Sequence, residues 1–301
     1  MVKKLVLLVV GIMMAALFAG CGNDAPKEQA SKKIQVVTSF NAMAEFTKAI
    51  GGDKVEVSTI IPDGVEPHDF ELKPENMKQL ATAQVFVYNG FGMEPWAKQA
   101  IEAAKNDKLV TVVATEGVEA IKNTDPEEIK EHGAEDPHAW LSLKDAKIEV
   151  KNIKDALVKA DPANKDYYEK NYTEYVGKLD AMIKKYEEQF AKAPHKNFVT
   201  GHAAFAYLSR DFGLEQNSVE DVFAEGEPNA AQLAKLIEYV KENNIKTIFA
   251  EEMASPEVSK TLAKEVGAKV ETIYTIESKE DDKTYLQRMD ENLAKIVESL
   301  K

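Results

Sequence analysis

Three histidines stand in segments that read as turns and suit a cation. His68 lies in Gly64-Val65-Glu66-Pro67-His68-Asp69-Phe70, His138 in Asp136-Pro137-His138-Ala139-Trp140, and His202 in Val199-Thr200-Gly201-His202-Ala203-Ala204-Phe205. A neutral imidazole can give one ring nitrogen to a metal while a hydrogen bond orients the other. Glu277, in Tyr274-Thr275-Ile276-Glu277-Ser278, adds a carboxylate after the last strand-like run. Successive separations are 70, 64 and 75 residues, so no local finger can form and only a folded chain can bring the four together. Each histidine also has a plain structural role open to it: His68 in a turn, His138 packed on Trp140, His202 at a helix start bonded to a carbonyl. His132 and His195 have neutral explanations and are not taken as primary ligands. A hydrolytic reading would make Glu277 or Glu251 a general base on zinc-bound water. The chain contains no His-Glu-x-x-His segment, no serine-centred elbow and no glycine-rich phosphate loop to support it. No catalytic residue is therefore expected, and the protein is not expected to be an enzyme.

The elements that must position these residues read as α/β. Strand-like runs at 34–40, 55–61, 84–88 and 109–114 alternate with helical patterns, and a second series follows at 198–200, 247–250 and 269–276. His68 follows the run at 55–61 and His202 the run at 198–200, at the carboxyl ends where open α/β sheets bind ligands. Between the two series, Tyr168, Tyr172, Tyr175, Leu179, Met182, Tyr186 and Phe190 recur at spacings of three and four. They predict one long amphipathic helix, and a coiled coil is disfavoured because no second heptad segment offers a partner. The expected architecture is two lobes, each with a mostly parallel sheet flanked by helices, joined by one long rigid α-helix. The divisions are a first lobe at 34–162, the linking helix at 163–192 and a second lobe at 193–301.

Composition narrows the function. The chain has 301 residues, 44% hydrophobic and 30% charged, with 15 Gly and 11 Pro, which excludes disordered, collagen-like and multi-span membrane classes. Its 51 acidic residues outnumber 38 basic ones and leave −13, a field that repels nucleic acid and gathers cations. Arg210 and Arg288 are the only arginines, too few for the forks that usually hold anionic ligands. A single cysteine, Cys21, excludes an internal disulfide framework and a cysteine-ligated zinc module.

Lys3 and Lys4 precede an apolar or small run from Leu5 to Gly20, shorter than the roughly 20 residues that cross a bilayer comfortably. The run ends Leu17-Phe18-Ala19-Gly20-Cys21, which resembles a bacterial lipoprotein signal. Residues 1–20 are thus expected to be a signal peptide, with Cys21 lipidated and 21–33 a polar tether to the outer face of the cytoplasmic membrane. The exported part would carry 36 basic against 51 acidic residues, or −15.

Gly-Val-Glu-Pro-His-Asp-Phe, Asp-Pro-His-Ala-Trp and Thr-Gly-His-Ala-Ala-Phe, in this order after a lipoprotein signal, resemble the zinc and manganese solute-binding lipoproteins of ABC importers. The resemblance covers about residues 34–301 and implies metal-ligand roles for His68, His138, His202 and Glu277. Many relatives have Asp at the last of these, and Glu251 or Glu252 is the alternative carboxylate, Glu252 being also a candidate supporting partner. Many zinc members carry a histidine-rich loop before the second ligand. Here the acidic stretch 125–136 holds only His132, an accessory candidate at most in what reads as a solvated loop. Three imidazoles and a carboxylate suit Zn2+, whereas Mn2+, the alternative, prefers more oxygen. The resemblance implies a monomer that hands its metal to a membrane permease after small lobe movements. An adhesin is a further reading, because a lipid anchor would serve one equally well. Imidazole ligands must be deprotonated, so affinity is expected to fall as pH drops through about 6.5.

Overall fold

The computed structural model describes residues 33–123, 129–130, 133–222, 229–251 and 256–301. The expected signal peptide, Cys21, most of the tether, His132 and Glu252 lie outside the described residues. Among the described residues no helix is long and apolar enough to cross a membrane.

Valine-rich runs form the first sheet: β1 (Ile34–Thr38), β2 (Val55–Thr59), β3 (Val85–Tyr88) and β4 (Val110–Val113), all parallel in the order β2-β1-β3-β4. Helices α1 (Asn41–Gly51), α2 (Pro74–Thr82) and α3 (Ala97–Ala104) connect them, as parallel strands require. The second sheet repeats the plan with β5 (Asn197–Thr200), β6 (Glu215–Ser218), β7 (Thr247–Ala250) and β8 (Lys269–Thr272), parallel in the order β6-β5-β7-β8. Its helices are α6 (Ala206–Phe212), α7 (Ala230–Glu242) and α8 (Pro256–Val266). Strand β6 had no counterpart in the sequence reading. Its residues, Glu-Gln-Asn-Ser, lack any apolar signal, and it forms an edge that pairs only with β5.

Between the sheets run α4 (Leu143–Ala160) and α5 (Lys165–Lys192), the latter 28 residues long, or about 42 Å at 1.5 Å per residue. Its buried stripe is Tyr168, Tyr175, Leu179, Ile183, Tyr186 and Phe190, with Tyr172 and Met182 only partly covered. Near one end Tyr175 meets Phe46 of α1 edge-on at 6.4 Å, and at the other Phe190 packs on Phe212 of α6 at 4.9 Å. The helix thus touches structure belonging to both sheets.

The run expected at 269–276 leaves the sheet after Thr272. There the Asn292 side chain replaces a neighbouring strand: the Tyr274 N–H donates to its Oδ1 at 2.9 Å, and its Nδ2 donates to Tyr274 O at 2.7 Å. Asn292 belongs to α9 (Tyr285–Ser299), which buries Tyr285, Met289, Leu293 and Ile296 in the core shared with Phe46 and Phe86 of the first sheet's layers. A separate cluster that includes Val199, Leu236, Ile248 and Leu262 covers the other face of the second sheet. Both lobes lie within one compact unit, Lys33–Lys301.

Candidate metal centre

All four sequence candidates come from segments that follow the carboxyl ends of strands: His68 after β2, His138 in the connection from β4, His202 after β5 and Glu277 after β8. The loop carrying His68 turns through Val65 N–H to Pro62 O and Phe70 N–H to Pro67 O, and Phe70 anchors it on Trp96 at 5.7 Å. His138 is fixed from both sides. Asn89 Nδ2 donates to Pro137 O at 2.8 Å, and Asp136 Oδ1 accepts from the His138 backbone N–H and from Nδ1, each at 2.9 Å. That contact leaves Nε2 as the donor nitrogen toward the site.

His202 follows Gly201, where there is no room for a side chain: a Cβ would stand 1.9 Å from Glu251 Oε2. The Thr200 hydroxyl and Gln216 Nε2 donate to His202 O at 2.6 and 3.1 Å, and the His202 N–H donates to Glu251 Oε1 at 3.4 Å. Glu277 follows Ile276, a fully buried β-branched residue at φ +63°, a left-handed conformation that costs about 1–3 kcal/mol and persists only when its surroundings enforce it. The Thr275 hydroxyl donates to Glu277 Oε2 at 2.9 Å, leaving Oε1 for the site.

His138 Nε2 lies 3.2 Å from His68 Nε2 and 3.3 Å from His202 Nε2, while Glu277 Oε1 is 3.8, 3.4 and 3.8 Å from the nitrogens of His68, His138 and His202. All four donor atoms fall within 4.8 Å of one another. Zinc bonded to nitrogen at about 2.0–2.1 Å in a tetrahedron needs donor–donor edges of about 3.3–3.4 Å, so a modest contraction closes the shell. No side chain of the four is more than 3% exposed, which places the site out of contact with solvent.

The local field makes these groups unequal. Burial opposes the charged form of His138, but the hydrogen bond and charge of Asp136, with Glu277 adding, carry it up to about 9. His202 is pushed down to about 3, chiefly by burial, and its Nδ1 has no hydrogen-bond partner among the described residues. Burial would raise Glu277, yet His138 and His68 outweigh it and hold the carboxyl well below its usual range. Burial pushes Glu251 up to about 8, and burial with the charge of Glu277 does the same to Glu66.

Trp140 does pack against the His138 ring, at 5.1 Å, as the plain structural reading held, but this contact coexists with the cluster. Glu251 supports the backbone of His202 and is not one of the four clustered groups. His195 is remote from them, its N–H donating to Leu300 O in the last turn of the chain. The sequence reading gave no role to Asp136. Its position two residues before His138 across a proline was the available signal, since Asp side chains bond backbone two residues on.

Two parallel α/β lobes joined by a long helix, with three imidazoles and a carboxylate converging between them, define a metal-binding solute-binding protein of the ABC-importer type. Residues 36–299 match the family model described as "Zinc-uptake complex component A periplasmic", and the chain belongs to that family. It is 42% identical over 299 residues to the high-affinity zinc uptake system protein ZnuA of Bacillus subtilis, covering 94% of each chain. It is 38% identical over 303 residues to the zinc-binding lipoprotein AdcA of Streptococcus pneumoniae, covering 97% of this chain and 60% of that protein. Among solved structures it resembles the metal-dependent lipoprotein YcdH from Bacillus subtilis, with a TM-score of 0.77 and 42% identity over 89% of this chain and 99% of that one.

Proposed function

We propose that His68, His138 and His202 through Nε2, and Glu277 through Oε1, hold the zinc ion that this chain captures outside the cytoplasm for delivery to an ABC permease. The observation that carries this reading is the buried convergence of four donor atoms within 4.8 Å, the edges involving His138 or Glu277 lying at 3.2–3.8 Å, near those of a zinc tetrahedron. Zinc is the transported cargo. Neutral imidazoles and an ionised carboxylate replace its hydration shell, and the nitrogen-rich set favours zinc over manganese. Four protein ligands leave no open position for an activated water, so the site captures a metal and does not catalyse a reaction. Lipid on Cys21 keeps the loaded monomer near the permease at the outer face of the membrane. The divisions at residues 20, 33, 162 and 192 then separate signal, tether, first lobe and linking helix from the second lobe.

Titration of the metal-stripped protein with zinc against manganese, with His202→Ala in parallel, tests the assignment. Tight one-to-one zinc binding that collapses by well over 100-fold in the variant is the expected result, since removing a ligand should exceed the 10- to 100-fold effect of an outer partner. Absence of tight binding in the unaltered chain, or full affinity in the variant, would overturn it.

A further inference from the structure

Glu277 follows the last strand of the second sheet, yet its segment is gripped by the first lobe. Trp140 Nε1 donates to Thr275 O at 2.8 Å, Asn41 Nδ2 to Ile276 O at 3.2 Å, the Asn41 N–H to Glu277 O at 3.3 Å, and the Gly64 N–H to Ser278 Oγ at 2.7 Å. Four consecutive residues are thereby bonded to the first sheet's side of the molecule. His202 itself is bonded from the second sheet, by Thr200 of β5, Gln216 of β6 and Glu251 just after β7, although α6, which begins four residues later, reaches across through the Tyr207 hydroxyl to Asp136 O at 2.6 Å. Asn41 makes two of the cross-lobe bonds. It is the first residue of α1, it is buried, and its side chain and backbone donate to the carbonyls of two successive peptide units, Ile276–Glu277 and Glu277–Ser278. Since Ile276 is β-branched and left-handed at φ +63°, its own preference does not hold that turn.

We propose that Asn41 is a positioning residue for the fourth ligand: from the start of α1 it pins the Ile276–Glu277 backbone, so that Glu277 is fixed from the same side of the molecule as His68 and His138. The proposal rests on the reading of these residues and His202 as zinc ligands.

The test is Asn41→Ala and Asn41→Asp in the full chain, read by zinc competition and by the ligand-field absorption of the Co2+-loaded protein. Both variants should bind zinc 10- to 100-fold more weakly and shift the cobalt bands, as loss of an outer orienting contact does. Aspartate fills the space of asparagine but turns an acceptor toward Ile276 O, so a packing role would survive that change and a positioning role would not. Asn106→Ala is the control for general destabilisation. Asn106 bridges Leu80 O and Ala83 O away from the site, and its loss should leave the cobalt spectrum unchanged. If Asn41→Ala does not fold, Asn41→Ser, whose hydroxyl is too short to reach Ile276 O, takes its place with the same expected result. Zinc affinity within twofold of the unaltered chain together with an unmoved cobalt spectrum would overturn the proposal, as would a loss in Asn41→Ala that Asn41→Asp restores. Tight zinc binding by the unaltered chain in the same experiment separates this failure from failure of the ligand assignment.

Discussion

Replacing Asp136 by Asn should change the number of protons that zinc displaces more than it changes affinity at neutral pH. Asp136 Oδ1 accepts from both His138 N–H groups at 2.9 Å, and its bond and charge outweigh burial to place the imidazole at about 9. At pH 7 the metal-free ring is protonated, and a cation takes Nε2 only by displacing about one proton. Without the carboxylate charge only Glu277 opposes burial, so the ring falls back from about 9 toward its ordinary value and less of it is protonated at pH 7. Proton release per zinc should therefore fall, by at most about one. Two effects on affinity oppose each other. Removing the competing proton gains up to about 100-fold at pH 7, and losing the charged outer partner costs about 10- to 100-fold, so the net change is small. The slope is what moves: affinity of the unaltered chain falls about tenfold per unit as pH drops from 9 to 7, and that of Asp136→Asn stays nearly level. Isothermal titration of zinc at pH 7 in two buffers of different ionisation enthalpy reads the proton count. Glu251, raised to about 8, is present in both proteins, while Glu66, which the His138 charge lowers, rises further when that charge is lost. Equal proton release by the two proteins would refute the reasoning.

Glu149 of α4 offers a test of stability away from the site. It is fully buried, neither carboxylate oxygen has a hydrogen-bond partner among the described residues, and burial, with the charges of Asp145 and Glu94, raises it well above the usual range. A raised carboxyl is protonated in the native state where the unfolded chain has ionised, so stability declines as pH rises above about 4.3. Glu149→Met should gain about 1–3 kcal/mol at pH 8 and less at pH 5 in denaturant unfolding, and identical curves at pH 8 would count against it. Cys21→Ser should move the expressed protein from the membrane fraction to the soluble one. Detergent phase partition reads this, and unchanged membrane retention would remove the lipid anchor from the account.

Strands rich in Val, Ile and Phe were legible because a parallel sheet buried on both faces selects continuous apolar runs. β6 was not, since an edge strand of Glu-Gln-Asn-Ser is fixed by its neighbour and not by its own propensity. His68, His202 and Glu277 stand after strand-like runs, where parallel sheets leave ligand positions, but His138 does not, and the expectation of ligand roles for all four came from the resemblance of their motifs to the metal-binding family. Asn41 could not: its partner at Ile276 is 235 residues away, and nothing in a Phe-Asn-Ala segment announces it. Nor does sequence disclose a left-handed isoleucine, because its propensity argues against what the fold imposes. The expected onset of pH dependence near 6.5 treated the histidines alike, and their surroundings separate two of them by several units.

That separation has a consequence for how the site waits for its metal. His138 and His202 approach to 3.3 Å; Asp136 on Nδ1 helps carry the first up to about 9 while burial holds the second at about 3, so of this pair His138 is the one protonated at neutral pH. The imidazolium lies between Asp136 and Glu277 Oε1, which is 3.4 Å from its Nε2, and offsets their buried negative charge. Two carboxylates without that proton would repel each other and open the cluster. Entry of a divalent cation expels the proton and substitutes a larger charge at the same centre, with Glu277 still held from the first lobe. Zinc binding at this centre is therefore coupled to the loss of one proton as well as to shedding of the ion's own hydration shell.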